Sequence, residues 1–160
     1  MNDKTVEILL IEDNPTDERL ALHAFKKHNL ADKVQVVRDG AEALEFIFGT
    51  DGQPSRNLQN GPRVILLDLK LPKIDGLQVL RQIKSDTRTK AIPVVILTSS
   101  REERDMIDGY QLGVNSYIQK PVDFGQFREI IKRLGLYWLV VNQAPPTNAF
   151  QRMFTSKFLR

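Results

Sequence analysis

The sequence predicts an α/β fold: a doubly wound, five-stranded parallel sheet with helices on both faces and a C-terminal extension. Two observations carry this. Five short runs rich in Ile, Val and Leu recur along the chain, at residues 6–11, 34–37, 64–67, 92–97 and 114–118. Such nearly continuous apolar runs suit strands buried on both faces. The segments between them repeat apolar residues at helical spacing. The 160 residues also contain no Cys, which excludes a disulfide scaffold, a thiolate zinc site and a cysteine nucleophile.

The first strand follows a short polar lead and ends at Glu12-Asp13. Asn14 then suits a helix N-cap with Pro15 at the first helical position, and Leu20, Ala21, Ala24 and Phe25 share one face of that helix. After the second strand, Asp39 caps a helix over residues 41–48. Residues 49–63, GTDGQPSRNLQNGPR, form a long polar loop, of a length usually functional or mobile. The third strand ends at Asp68, and Asp75-Gly76 reads as turn and helix-start chemistry before Leu77, Leu80 and Ile83. The fourth strand ends in Thr98-Ser99-Ser100, with Ser100 as cap of a helix carrying Met106, Ile107 and Tyr110. The fifth runs into Lys120-Pro121, and Phe124, Phe127, Ile130, Ile131 and Leu134 mark the last helix. Beyond residue 135, an apolar LYWLVVNQ precedes a helix-breaking APPTN and an aromatic, basic AFQRMFTSKFLR.

The formal net charge of +3 is unevenly distributed. Residues 1–124 carry 17 Lys+Arg against 19 Asp+Glu, a net of −2, while residues 125–160 carry 6 against 1, a net of +5. The basicity is a property of the tail and gives no reason to expect nucleic acid. No apolar run approaches the ~18 residues of a membrane span, and the N-terminus lacks the pattern of a signal peptide, so no membrane and a cytoplasmic location are expected.

In open α/β sheets, function gathers at the carboxyl ends of the strands. Here those ends bear Glu12, Asp13, Asp68, Thr98 and Lys120. Carboxylates held together repel, which raises a pKa or calls for a cation; Mg²⁺ with oxygen ligands answers that need. A carboxylate beside Mg²⁺ can act as nucleophile toward phosphorus, and a lysine and a hydroxyl can receive the remaining phosphoryl oxygens. Taken singly, each residue has a plainer reading. Asp68 could merely terminate a strand, Lys120 could be a solvated lysine, Thr98 and Ser99 could cap a helix, and Tyr117 could be a half-buried strand tyrosine.

Glu12-Asp13, Asp68-Leu-Lys-Leu-Pro72, Asp75-Gly76, Thr98-Ser-Ser100 and Lys120-Pro121 together resemble the receiver domain of bacterial two-component response regulators. The resemblance spans about residues 5–134 and leaves 135–160 as an extension, partly packed or dimer-forming, without a separate output domain. The long loop and the extension are similar to response regulators paired with cyanobacterial phytochromes.

The resemblance implies a flavodoxin-like strand order 2-1-3-4-5. It implies Asp68 as phosphoacceptor, Thr98 and Lys120 as readers of the phosphorylated state, and Tyr117 as an aromatic switch. It implies Mg²⁺ held by Glu12, Asp13, Asp68 and the backbone carbonyl of Lys70, with Lys70 and Asn14 side chains tuning water access. The implied partner is a sensor histidine kinase, a phytochrome among the candidates, and the apolar segment 136–141 is expected to pack on the receiver or across a homodimer near the fourth and fifth helices.

Rival functions fit less well. A flavin carrier would need a phosphate loop after the first strand, where EDNPTDE would repel phosphate. An aspartate-based phosphatase would want an acid where Lys70 stands, and 26 residues after Leu134 are too few for a helix-turn-helix domain. The rival that remains is a receiver-like interaction module that works without phosphorylation.

Overall fold

The computed structural model describes residues 6–49, 62–121 and 123–144. Most of the 49–63 loop and the basic tail from residue 145 fall outside these. Five parallel strands form one sheet in the order β2-β1-β3-β4-β5, as expected. They are β1 (Ile8–Ile11), β2 (Val34–Val37), β3 (Val64–Leu67), β4 (Val94–Thr98) and β5 (Ser116–Gln119). The helices are α1 (Pro15–Lys27), α2 (Gly40–Phe48), α3 (Gly76–Ser85), α4 (Glu103–Gln111) and α5 (Phe124–Leu136). A 3₁₀ turn at Ala31–Lys33 precedes β2, and a π-helical turn at Tyr137–Val141 continues α5.

Strand side chains alternate between the faces, and the apolar residues divide accordingly. Leu9 and Ile11 of β1 join Ala43 and Ile47 of α2 and Val79, Leu80 and Ile83 of α3 in one core. Ile8 and Leu10 join Ala21, Ala24 and Phe25 of α1 and Phe127, Ile131 and Leu134 of α5 in the other. β1, β3 and β4 are buried at every position, but the outer strands are not. Gln35 of β2 and Gln119 of β5 are exposed, because each edge strand has a neighbour on one side only.

Helix starts follow the capping chemistry in the sequence. The Asn14 side chain accepts from the N–H groups of Thr16 and Asp17, and Asp39 and Asp75 accept from Glu42 and Gln78. Ser100 is the exception. The residue before α4 is Glu102, which makes no side-chain capping bond. The Ser100 hydroxyl instead accepts from the Glu102 N–H at 3.3 Å and donates to Asp105 at 2.6 Å. β4 begins at Val94 rather than at residue 92, since Pro93 has no N–H for the ladder. β5 starts two residues later than the apolar run, because the Val114 N–H closes the end of α4 on Gly109.

Two apolar features remain, the α4 stripe and the extension. Of the two readings open to Met106, core or interface, the structure fits the second: Met106, Ile107 and Tyr110 of α4 are exposed. In the extension, Leu139 is buried in the α1–α5 core with Trp138 packed beside it, and Arg63 donates to the Leu139 carbonyl at 2.8 Å. The extension therefore packs on the receiver, with Leu139 toward the start of β3 and Tyr137 and Trp138 bordering a groove with Ser116 and Ile118 of β5 and Ile130 and Leu134 of α5. Leu136, Tyr137, Val140 and Val141 remain exposed.

Candidate functional site

The register of the sheet assembles the site. Ile11 pairs with Leu67, so the residues that follow them, Glu12 and Asp68, emerge side by side. Thr98 pairs with Gln119, which sets Lys120 just beyond the end of β4. The Lys120 N–H donates to the Thr98 carbonyl at 2.7 Å and fixes that placement.

Glu12 and Asp68 are buried at the floor of the cleft, with 2% and 6% exposure, and Asp13 is exposed at its rim. One carboxylate oxygen from each of the three lies within 4.8 Å of the others. Lys120 reaches in from the opposite side with a side chain only 7% exposed. Its Nζ donates to Glu12 Oε2 at 2.7 Å, Asp17 Oδ2 at 2.9 Å and Asp68 Oδ2 at 3.1 Å. The backbone N–H of Lys70 donates to Asp68 Oδ1 at 3.3 Å, and that of Asn14 to Glu12 Oε1 at 3.1 Å.

Three carboxylates thus face one ammonium, with Asp13 at the rim beside them. Burial pushes the Glu12 carboxyl up to about 7, with the Asp68 charge adding to the rise and Lys120 and the Asn14 N–H opposing it. For Lys120, burial works against the charged form. The charges of Asp68 and Glu12 and the hydrogen bonds to Glu12 and Asp17 outweigh it and hold the ammonium above its ordinary range. The donor set is hard oxygen with surplus negative charge, which suits a divalent cation such as Mg²⁺ held by Glu12, Asp13 and Asp68.

Thr98 is fully buried, and its hydroxyl accepts the Ser100 N–H at 3.2 Å; it makes no hydrogen bond to Asp68 or Lys120. The Tyr117 ring packs against the α2–α3 core, with its Cδ2 close to Gly109 of α4. Among the described residues, its hydroxyl is the one buried side-chain polar atom without a hydrogen-bond partner. Ser100 lies beside it, with its own hydroxyl donating to Asp105. Burial, and then the Asp105 charge, raise the Tyr117 pKa.

The structure brings Glu12, Asp13, Asp68 and Lys120 together at one rim and leaves the Thr98 hydroxyl bonded to Ser100 beside them. Asn14 caps α1 with its side chain, as its place before Pro15 predicts, while its backbone N–H reaches Glu12. The structure adds two acids the sequence reading passed over. Asp17 is three residues after the Asn14 cap, so the first turn of α1 carries it back over the strand ends. Asp105, one turn into α4, receives Ser100. A helix-turn projection from either cap would have indicated both.

Comparison with known proteins agrees with this geometry. The family model described as the response regulator receiver domain matches residues 8–132. The probable methanogenesis regulatory protein FilR2 of Methanothrix harundinacea is 41% identical over 138 residues, covering 86% of each chain. Response regulator Rcp1 of Synechocystis is 38% identical over 134 residues, covering 82% of this chain and 88% of its own. A crystal structure of Mn²⁺-bound Rcp1 superposes with a TM-score of 0.75 at 35% identity, covering 86% and 97%. The phosphorylated cyanobacterial phytochrome response regulator RcpA superposes with a TM-score of 0.77 at 40% identity, covering 86% of this chain and 96% of that one.

Proposed function

This chain belongs to the response regulator receiver domain family, and from that premise we propose that it accepts a phosphoryl group on Asp68 from the phosphohistidine of a sensor histidine kinase. The observation that carries the reading is the buried Asp68 carboxylate, 3.1 Å from the Lys120 ammonium within a group of three acids fit for a divalent cation.

One Asp68 oxygen attacks phosphorus; the P–O bond forms as the P–N bond to imidazole breaks, and the imidazole leaves with its electron pair. Glu12, Asp13, Asp68 and the Lys70 carbonyl would hold Mg²⁺, which would supply charge neutralisation for the phosphoryl oxygens. Lys120 donates to a phosphoryl oxygen, and the Thr98 hydroxyl turns to another. That turn releases the Ser100 N–H from Thr98 and alters the contacts around Tyr117 and the first turn of α4, so the signalling surface changes. The role is that of a switch that accepts and loses a phosphoryl group. A phytochrome is the candidate kinase, on the strength of the likeness to RcpA. Residues 5–134 form the receiver, and the extension from 135 is partly packed on it through Leu139 and partly free for contacts with a second copy.

The test uses acetyl phosphate with and without Mg²⁺, followed by intact mass spectrometry. A phosphoryl adduct that requires Mg²⁺ and vanishes in Asp68→Asn is expected. A wild type that never forms the adduct would leave the phosphorylation-independent interaction module instead.

A further inference from the structure

We propose that Asp17 is a positioning residue for Lys120: the carboxylate that keeps its ammonium in the cleft once a cation and a phosphoryl group have claimed the other two. This rests on the phosphoryl-acceptor reading above. An ammonium has three N–H donors, and three carboxylates take them here, Glu12 at 2.7 Å, Asp17 at 2.9 Å and Asp68 at 3.1 Å. Glu12 and Asp68 also belong to the group whose oxygens converge within 4.8 Å, and Asp17 does not. Two of the three partners of the lysine are therefore shared with the cation. A divalent charge on those two repels the ammonium, and a phosphoryl group on Asp68 turns one of its oxygens into a poor acceptor. Asp17 alone keeps its full charge for the lysine.

Its mounting suits that part. Asp17 stands on the first turn of α1, not on a strand end, and its own N–H is held by the Asn14 side chain at 3.1 Å. Its side chain is 24% exposed, at the edge of the cleft, whereas the Lys120 side chain is 7% exposed and has little access to water as a substitute acceptor. With Asp17 in place, the N–H that pointed at Asp68 can turn to a phosphoryl oxygen while Nζ stays where it is. Without Asp17, the ammonium settles wholly onto Glu12 and Asp68, and an incoming cation has to displace it.

The test is Mg²⁺ titration of the full chain by calorimetry, with thermal melting of the metal-free protein, for wild type, Asp17→Asn, Asp17→Glu, Lys120→Ala and the Asp17→Asn/Lys120→Ala double variant. Asp17→Asn should weaken Mg²⁺ binding on the order of tenfold, with a melting temperature close to wild type. Asp17→Glu should restore most of the affinity. In the Lys120→Ala background, Asp17→Asn should change affinity by no more than about twofold. Unchanged affinity in Asp17→Asn, or an equal loss in the Lys120→Ala background, overturns the proposal while wild-type Mg²⁺ binding keeps the functional reading standing. A wild type that binds no Mg²⁺ overturns both.

Discussion

Glu12 shows how one buried side chain couples the site to pH. Its carboxyl titrates at about 7 in the fold against 4.5 as a free group, with burial as the main cause. The folded state thus holds this proton more tightly than the unfolded chain. The resulting stability is fully present below about pH 4.5 and is lost as pH rises through about 7. In metal-free protein, the melting temperature of wild type relative to Glu12→Gln should fall as pH is raised from about 5 to about 8. Saturating Mg²⁺ should flatten that trend, because a bound cation favours the ionised carboxylate. Calorimetric melts of the two proteins across pH check both. The same acid that serves the site at neutral pH therefore destabilises the empty fold there.

At the scale of elements, the site depends on how closely α3 approaches the strand end that carries Asp68. A Cβ on Gly76 would strike the Asp68 carbonyl and lie 2.6 Å from Leu69 Cα, both backbone atoms that cannot turn away. By helix propensity alone, Ala would be the better residue there by about 1 kcal/mol. Gly76→Ala should instead destabilise by about 1–3 kcal/mol, read by urea unfolding, and should slow adduct formation at the displaced Asp68. A second junction, between β4 and α4, rests on a chain of contacts. Thr98 accepts from Ser100, Ser100 donates to Asp105, and the unpartnered Tyr117 hydroxyl lies buried next to them. Movement of Thr98 toward a phosphoryl group, as proposed above, would break the first link and reach α4 through the second. That α4 presents Met106, Ile107 and Tyr110 to solvent gives this movement a surface to act on.

For the whole molecule, α4 and the turn after α5 each present several large apolar residues to solvent. The extension is anchored by burial of Leu139 and by the bond from Arg63 to its carbonyl, so its outward residues are held in a fixed place. Val140 and Val141, the most exposed of them at 68% and 63%, do not contribute to the core. The expected outcome is a homodimer at micromolar concentration in sedimentation. Val140→Asp combined with Val141→Asp should convert it to monomer without lowering the melting temperature. A monomeric wild type would remove the dimer from this account.

By itself, the sequence determined the fold and the contents of the site. Apolar runs of strand length alternating with helical stripes admit few architectures, and in a parallel sheet the residue after each strand must face one rim. Glu12, Asp13, Asp68, Thr98 and Lys120 were legible for that reason, as were the caps Asn14, Asp39 and Asp75, whose bonds span three residues or fewer. Only the tertiary structure decided what depends on contacts distant along the chain. The three-carboxylate grip on Lys120 joins α1, β1 and β3 to the end of β5. The exposure of the α4 stripe, the docking of Leu139 beside β3 and the part taken by Asp17 follow from which surfaces meet. Composition and periodicity carry no record of that, since a side chain of given spacing packs, pairs or faces solvent according to its neighbours in space.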